Sequence, residues 1–124
     1  QMPMNILFMF GSMMTKNTGP AYLIGIMIHA MNGVIFAIIH TALFNAFELQ
    51  DGLVGWGVLF GFGHWLIAGM TMGMVGGMHP RIKAGELDDP GLFAKNLPTM
   101  NMMGFLMVHI IYGVVVGALY QAWA

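Results

Sequence analysis

The sequence predicts an all-α protein, a polytopic transmembrane helical bundle with three spans and an N-terminal interfacial segment. Three observations carry that expectation. Of 124 residues, 58% are hydrophobic and only 7% are charged, whereas a soluble domain has about a quarter charged residues. The charges are segregated: none lies between Lys16 and Glu48, between Asp51 and Arg81, or after Lys95. Each of these uncharged runs is about 30 residues long, and about 20 apolar residues cross a bilayer as a helix. A soluble fold of this size has too little interior to hide so much apolar side chain, so lipid takes the surplus.

Residues 1–15 are apolar and methionine-rich but too short to span. Their Met-Pro-Met start and the run Ile6-Leu7-Phe8-Met9-Phe10 suggest a segment lying along the membrane boundary. They lack the basic n-region and the small-residue cleavage site of a signal peptide. The first span is placed at 20–46. Thr18-Gly19-Pro20 supplies a cap, then a proline where its missing N–H does no harm. The second span is placed at 53–78 and the third at 100–123. Between them lies the one sizeable polar segment, 79–99, broken by Pro80, Pro90 and Pro98. Asp89-Pro90-Gly91 reads as a turn, and residues 90–95 as the start of a short interfacial helix. The whole of 1–124 reads as a single transmembrane domain.

The four basic residues set the expected orientation. Lys16 precedes the first span, and Arg81, Lys83 and Lys95 lie in the 79–99 loop, whereas the 47–52 turn carries only Glu48 and Asp51. The positive-inside rule then places the loop in the cytoplasm, with the turn and the C-terminus outside, as in a bacterial inner membrane. A net charge of −1 offers no basic patch, so nucleic acid is not an expected partner. Without cysteine there is neither a disulfide nor a thiolate metal site.

An internal repeat adds a further expectation. His29-x3-Gly33-x3-Ala37 in the first span parallels His109-x3-Gly113-x3-Gly117 in the third, and Met2-Pro3 with Leu7-Phe8 parallels His79-Pro80 with Leu92-Phe93. A duplicated unit of helix, loop and helix implies a further helix before Gln1.

Glycines encode the packing. Gly57, Gly61, Trp65, Gly69, Gly73 and Gly77 fall at successive fours, and so on one helix face. The first span carries Gly25, His29, Gly33, Ala37 and Thr41 at the same spacing, and the third carries His109, Gly113, Gly117 and Gln121. Small-residue strips let helices approach closely in lipid. The sharper alternative is that such a strip admits a flat ligand. Polar residues on these strips are expected to point inward, away from acyl chains.

Four of the five histidines lie inside the spans, where ionisable groups are expensive. His29 is nine residues past Pro20, His109 eleven past Pro98, and His64 twelve past Gly52. At the helical rise these three stand about 12–16 Å above the cytoplasmic boundary. His40 is placed far higher, beside Glu48, with no role assigned. Three readings compete. Each imidazole is satisfied by a hydrogen bond to a carbonyl, hydroxyl or neighbouring ring. Alternatively His29 and His109, with His64 as a further candidate, bind a haem or chlorophyll-type pigment. In the third, His29, His64 and His109 form a nitrogen site for copper or zinc, although no carboxylate in the membrane orients them.

Twelve of the 15 methionines cluster toward one face: Met2, Met4, Met9, Met13 and Met14, then Met70, Met72, Met74 and Met78, then Met100, Met102 and Met103. Met70, Met74 and Met78 share a helix face beside His79 and are candidate thioether ligands for Cu(I). The plainer reading is flexible apolar packing. The sequence carries no carboxylate inside a span, no serine–histidine–acid set, and no phosphate-binding or dinucleotide motif.

Two His-x3-Gly-x3-small spans around a glycine-rich span bearing His64-Trp65, preceded by Met2-Pro3-Met4, resemble a family of small bacterial four-helix integral membrane proteins of unknown function. The resemblance covers most of the chain and rests on diffuse glycine and histidine placement. It implies a first helix not included in this sequence and supplies no activity. It draws attention to His29, Gly33, His64, His109, Tyr112 and Gly113. Small size, minimal extramembrane parts and surplus apolar faces give the functional expectation. The chain is a non-catalytic accessory subunit of a larger membrane complex, partnered by the lipid bilayer and by other membrane subunits. The alternatives are a histidine-ligated haem or pigment protein in electron transfer or light harvesting, and a Cu(I) or small-solute carrier.

Overall fold

A computed structural model of the chain describes residues 6–123. Expectations that rest on Met2, Pro3 and Met4 lie outside the described residues. The elements in order are α1 (Ile6–Gly11), α2 (Thr18–Ala46), α3 (Leu53–Met78), α4 (Pro80–Lys83), a 3-10 turn (Leu92–Ala94) and α5 (Thr99–Trp123). No strand occurs among the described residues. Helices α2, α3 and α5 are each long and apolar enough to cross a membrane. This fits an integral membrane protein.

Each boundary has a local cause. α2 starts at Thr18 with Pro20 in its first turn, where a proline N–H is not needed. α3 starts after Gly52 in the left-handed region and has no side-chain cap of its own. Gln121, at the far end of α5, supplies one: its Oε1 accepts from the Leu53 N–H at 2.9 Å. α3 ends at Met78 because the backbone turns extended at His79 and Pro80 follows.

The tightest interface is the antiparallel pair α3 and α5. A Cβ on Gly57 would strike the Gly113 carbonyl, one on Gly61 the His109 carbonyl, and one on Gly117 the Leu53 carbonyl. Backbone therefore lies against backbone, and dispersion over the bare surfaces holds the pair together. α1 packs against α2 in the same manner. Gly11 meets the Ala21 carbonyl and Gly25 meets that of Leu7, so the two run antiparallel. The N-terminal segment, expected flat along the boundary, is thus a helix set lengthwise against α2. Its Met9 joins Met72, Phe105 and Ala94 in the core.

The 79–99 segment folds back onto this end of the bundle. The Phe93 ring covers Gly69 and lies 4.7 Å from the Trp65 ring, while Leu92 covers Gly73. Phe93 and Ala94 hold positive φ values of 54° and 60°, a conformation costly outside glycine. Burial of Ala94, and of Phe93 against α3, offsets that cost. The short interfacial helix expected at 90–95 is reduced to the 3-10 turn, fixed by the Asp89 carboxylate accepting from the Gly91 N–H at 2.9 Å.

α2 is held more loosely. Its hydrogen bonds and ring contacts with α3 and α5 run from Gly33 to Asn45. The Tyr112 hydroxyl donates to the Gly33 carbonyl and the Tyr120 hydroxyl to Asn45 Oδ1. Only 6% of its most apolar stretch is buried within the chain, against 17% for α3 and α5.

Candidate functional site

Midway along the bundle, three helices bring imidazoles together. His40 comes from α2, His64 from α3 and His109 from α5. The His64 ring centre lies 5.6 Å from that of His40 and 4.7 Å from that of His109, both edge to face. Tyr112 completes the group, 5.5 Å from His40 and 5.4 Å from His64. Phe36 stacks flat on His64 at 3.8 Å, and Phe60 meets His40 edge-on at 6.4 Å. The walls of the cluster are aromatic, and no carboxylate or cationic side chain takes part in these contacts.

The hydrogen bonding is unequal. His109 Nδ1 lies 2.6 Å from the Phe105 carbonyl, to which it donates. In the neutral ring that leaves Nε2 with a free lone pair. His40 is only 2% exposed, and neither of its ring nitrogens has a hydrogen-bond partner. His64 Nδ1 is likewise buried and without one. Buried polar atoms are rarely left in this state, because each costs about 1–3 kcal/mol. The reading in which every span histidine is satisfied therefore fails for His40 and for one nitrogen of His64.

The cluster differs from the sequence expectation in one member. His29 is exposed and stands apart, whereas His40, expected near the outer surface, is at the centre. The cause is the length of α2. Its 29 residues exceed the roughly 20 needed to cross, so counting from Pro20 does not fix its height. The contacts of Gly33 and His40 with Tyr112 set the register instead. They leave His29 about seven residues, or roughly 10 Å, below the stacked pair of Phe36 and His64. Neither a His29–His109 axial pair nor a His29–His64–His109 metal site is assembled. The glycine strip of α3 also has no room for a porphyrin. α5 backbone fills it at Gly57 and Gly61, and Phe93 and Leu92 fill it at Gly69 and Gly73. Gly33 and Gly77 have open space where a Cβ would stand.

One signal could have selected the right three histidines. Each has a phenylalanine four residues earlier: Phe36 before His40, Phe60 before His64 and Phe105 before His109. His29 has Gly25 in that place.

The fifth histidine performs a different task. His79 is fully buried at the α3–α4 junction. Its Nδ1 accepts from the Arg81 N–H at 3.1 Å, so Nε2 carries the proton and donates to the Met9 carbonyl at 2.8 Å. Ser12 Oγ lies 3.1 Å from the same nitrogen and also donates to the Met9 carbonyl. This latch ties α1 to the end of α3 and leaves His79 no nitrogen for a metal. The nearby Met70, Met74 and Met78 are all more than half exposed. They do not close a thioether site with it.

An open groove between α2 and α5, about 410 Å³ in volume, is lined by Ala37, Thr41, Val116, Leu119, Tyr120 and Trp123 and is almost wholly apolar. Comparisons with protein-family models, curated proteins and solved structures each returned no match.

Proposed function

We propose that this chain is a small, non-catalytic accessory subunit of a larger membrane complex, whose bundle is completed by a helix of a partner subunit. The observation that carries this is an open seam on the inward side of α2. Helical geometry puts Gly25, His29, Phe36 and His40 within about 60° of one another around the axis. Gly25 is covered by α1, and Phe36 and His40 are covered by α3 and α5. Between those two contacts His29 and Asn32 stand exposed, with no hydrogen-bond partner among the described residues.

Polar side chains facing acyl chains in mid-span are costly. A neighbouring helix that offers carbonyl or hydroxyl partners removes that cost. The sparse burial of α2 supports the same reading. The distribution of Lys16, Arg81, Lys83 and Lys95 supports a bacterial inner membrane with 79–99 in the cytoplasm.

The test is capture in place. A photo-crosslinking residue at Asn32, activated in native membranes, is expected to yield one discrete adduct of higher mass. The same probe at Met103, on the outer face of α5, yields none. Purification in a gentle detergent, followed by mass spectrometry, then identifies the adduct as a different protein. Recovery of only the free monomer, with no adduct at Asn32, defeats the proposal. An adduct between two copies of this chain replaces it with a homo-oligomer.

A further inference from the structure

We propose that the His79 latch is a pH-sensitive switch, which holds α1 on the bundle while the imidazole is neutral and releases it when the ring takes up a proton. The tautomer carries the inference. A backbone N–H can only donate, so the Arg81 N–H fixes His79 Nδ1 as an acceptor at 3.1 Å. The single proton of the neutral ring is then on Nε2, which lies 2.8 Å from the Met9 carbonyl. Both nitrogens are committed, and the ring is fully buried.

A second proton has only Nδ1 to go to. There it sets an N–H against the N–H of Arg81, and Nδ1 has no other partner among the described residues. A buried donor without an acceptor is costly, so the ring must turn to satisfy it. Turning takes Nε2 away from the Met9 carbonyl and breaks the tie between α1 and the end of α3. Imidazole is the side chain whose charge ordinarily changes between about pH 5 and 8. The released form binds one proton more than the docked form, so docking weakens as pH falls.

The charges around the latch do not relieve a second cation. α4 contributes Arg81 and Lys83. The Arg81 guanidinium lies over the Phe8 ring of α1 at 5.5 Å, and Glu86 pairs with it at 3.3 Å. The Asp89 carboxylate lies against Gly76, about one turn before His79, and accepts from the Gly91 N–H. Lys16 precedes α2 and Lys95 follows the 3-10 turn. α1, α2, α3 and α5 carry no Asp, Glu, Lys or Arg. The titratable groups of the three long helices on this side are Tyr22, beside Phe8, and His109, behind Phe105. On α3, His64 is about four turns away. Among the described residues no carboxylate is hydrogen-bonded to the His79 ring.

Release has a large effect because α1 has only six residues. A helix this short does not hold its shape in isolation. Its departure uncovers the α2 backbone at Ala21 and Gly25, and takes Met9 from its place beside Met72 and Phe105.

The experiment follows amide exchange of the full chain in detergent at pH 7.5 and 5.5, corrected for the intrinsic pH dependence of exchange. Protection of residues 6–12 should fall on the order of tenfold or more at the lower pH, while α3 and α5 keep theirs. Nitrogen NMR of the imidazoles should show His79 gaining charge in step with that loss. His79→Asn keeps an oxygen that can accept from the Arg81 N–H but cannot become charged. It should protect α1 less at pH 7.5, and no less again at pH 5.5. Asp89→Asn and Glu86→Gln should keep the response of the parent.

The nitrogen spectrum of the parent needs no variant. Equal protection of α1 at the two pH values, or release while His79 stays neutral, would overturn the switch. So would a pH response that survives His79→Asn, or one that Asp89→Asn or Glu86→Gln abolishes. Loss of protection in α3 and α5 to the same extent would replace it with general acid unfolding.

Discussion

At the residue scale, two side chains carry more than their size suggests. The His79 imidazole satisfies the Met9 carbonyl and the Arg81 N–H at once, in a fully buried position. His79→Ala strands the Arg81 N–H and leaves the Met9 carbonyl with the Ser12 hydroxyl alone. About 1–3 kcal/mol of stability should be lost, read as a lower midpoint of unfolding in detergent. Ser12→Ala removes only the supporting hydroxyl and should cost less than His79→Ala. If the two variants cost the same, the latch is not centred on the imidazole. Tyr112 is the second such residue, because its hydroxyl reaches the Gly33 carbonyl across two helices. Tyr112→Phe keeps the ring against His40 and His64 and removes only the bond. An interhelical hydrogen bond in a membrane averages about 0.6 kcal/mol and reaches about 1.7 kcal/mol. A loss in that range is expected, accompanied by faster amide exchange in α2 than in α3.

At the element scale, the α3–α5 pair is the rigid part and α2 the adjustable one. The pair depends on the absence of side chains at Gly57, Gly61, Gly113 and Gly117. A Cβ at Gly57 runs into backbone, which cannot swing aside. Gly57→Leu should therefore force the helices apart, at a cost of about 1–3 kcal/mol or more. Gly77 has open space where its Cβ would stand. Gly77→Ala should be neutral, or stabilising by up to about 1 kcal/mol through helix propensity. Unfolding from detergent micelles in mixed denaturant compares the two directly. Equal effects at Gly57 and Gly77 would mean that the α3–α5 contact is not the close one described. The same contrast explains why the small-residue strip of α3 has two uses: its Gly57 end takes a helix, and its Gly73 end takes the folded-back 79–99 segment.

At the scale of the whole molecule, the chain is a thin-walled bundle with apolar side chains facing outward along all three long helices. Its natural lack of cysteine makes its orientation directly measurable. Glu48→Cys and Glu86→Cys introduce single thiols at opposite ends. A membrane-impermeant maleimide applied to intact cells should label the first and, only after permeabilisation, the second. Labelling of both from one side would remove the membrane-spanning arrangement, and the reverse pattern would invert the orientation. Of the central imidazoles, His40 is buried, whereas His64 and His109 remain partly exposed. An added helix at the His29–Asn32 seam would shield them as well as satisfy that seam.

The sequence by itself determined where the long helices run. Charge-free length and turn chemistry are local properties, readable one segment at a time. α3 occupies 53–78 as its bounding Gly52 and Pro80 dictate, and α2 and α5 begin within two residues of the positions set by Pro20 and Pro98. Which histidines meet was decided only in three dimensions. The sliding of α2 along α3 and α5 is fixed by how Tyr112, Phe36 and Phe44 fit between helices, not by the distance of a residue from its helix start. A helix longer than the bilayer has several turns of axial freedom, and a shift of about three turns exchanges His29 for His40. The filling of the α3 strip by Phe93 and Leu92, and the Ser12–His79 latch, likewise join residues far apart in the chain. Neither follows from helical period or composition, because both depend on a loop folding back onto surfaces that exist only once the helices have packed.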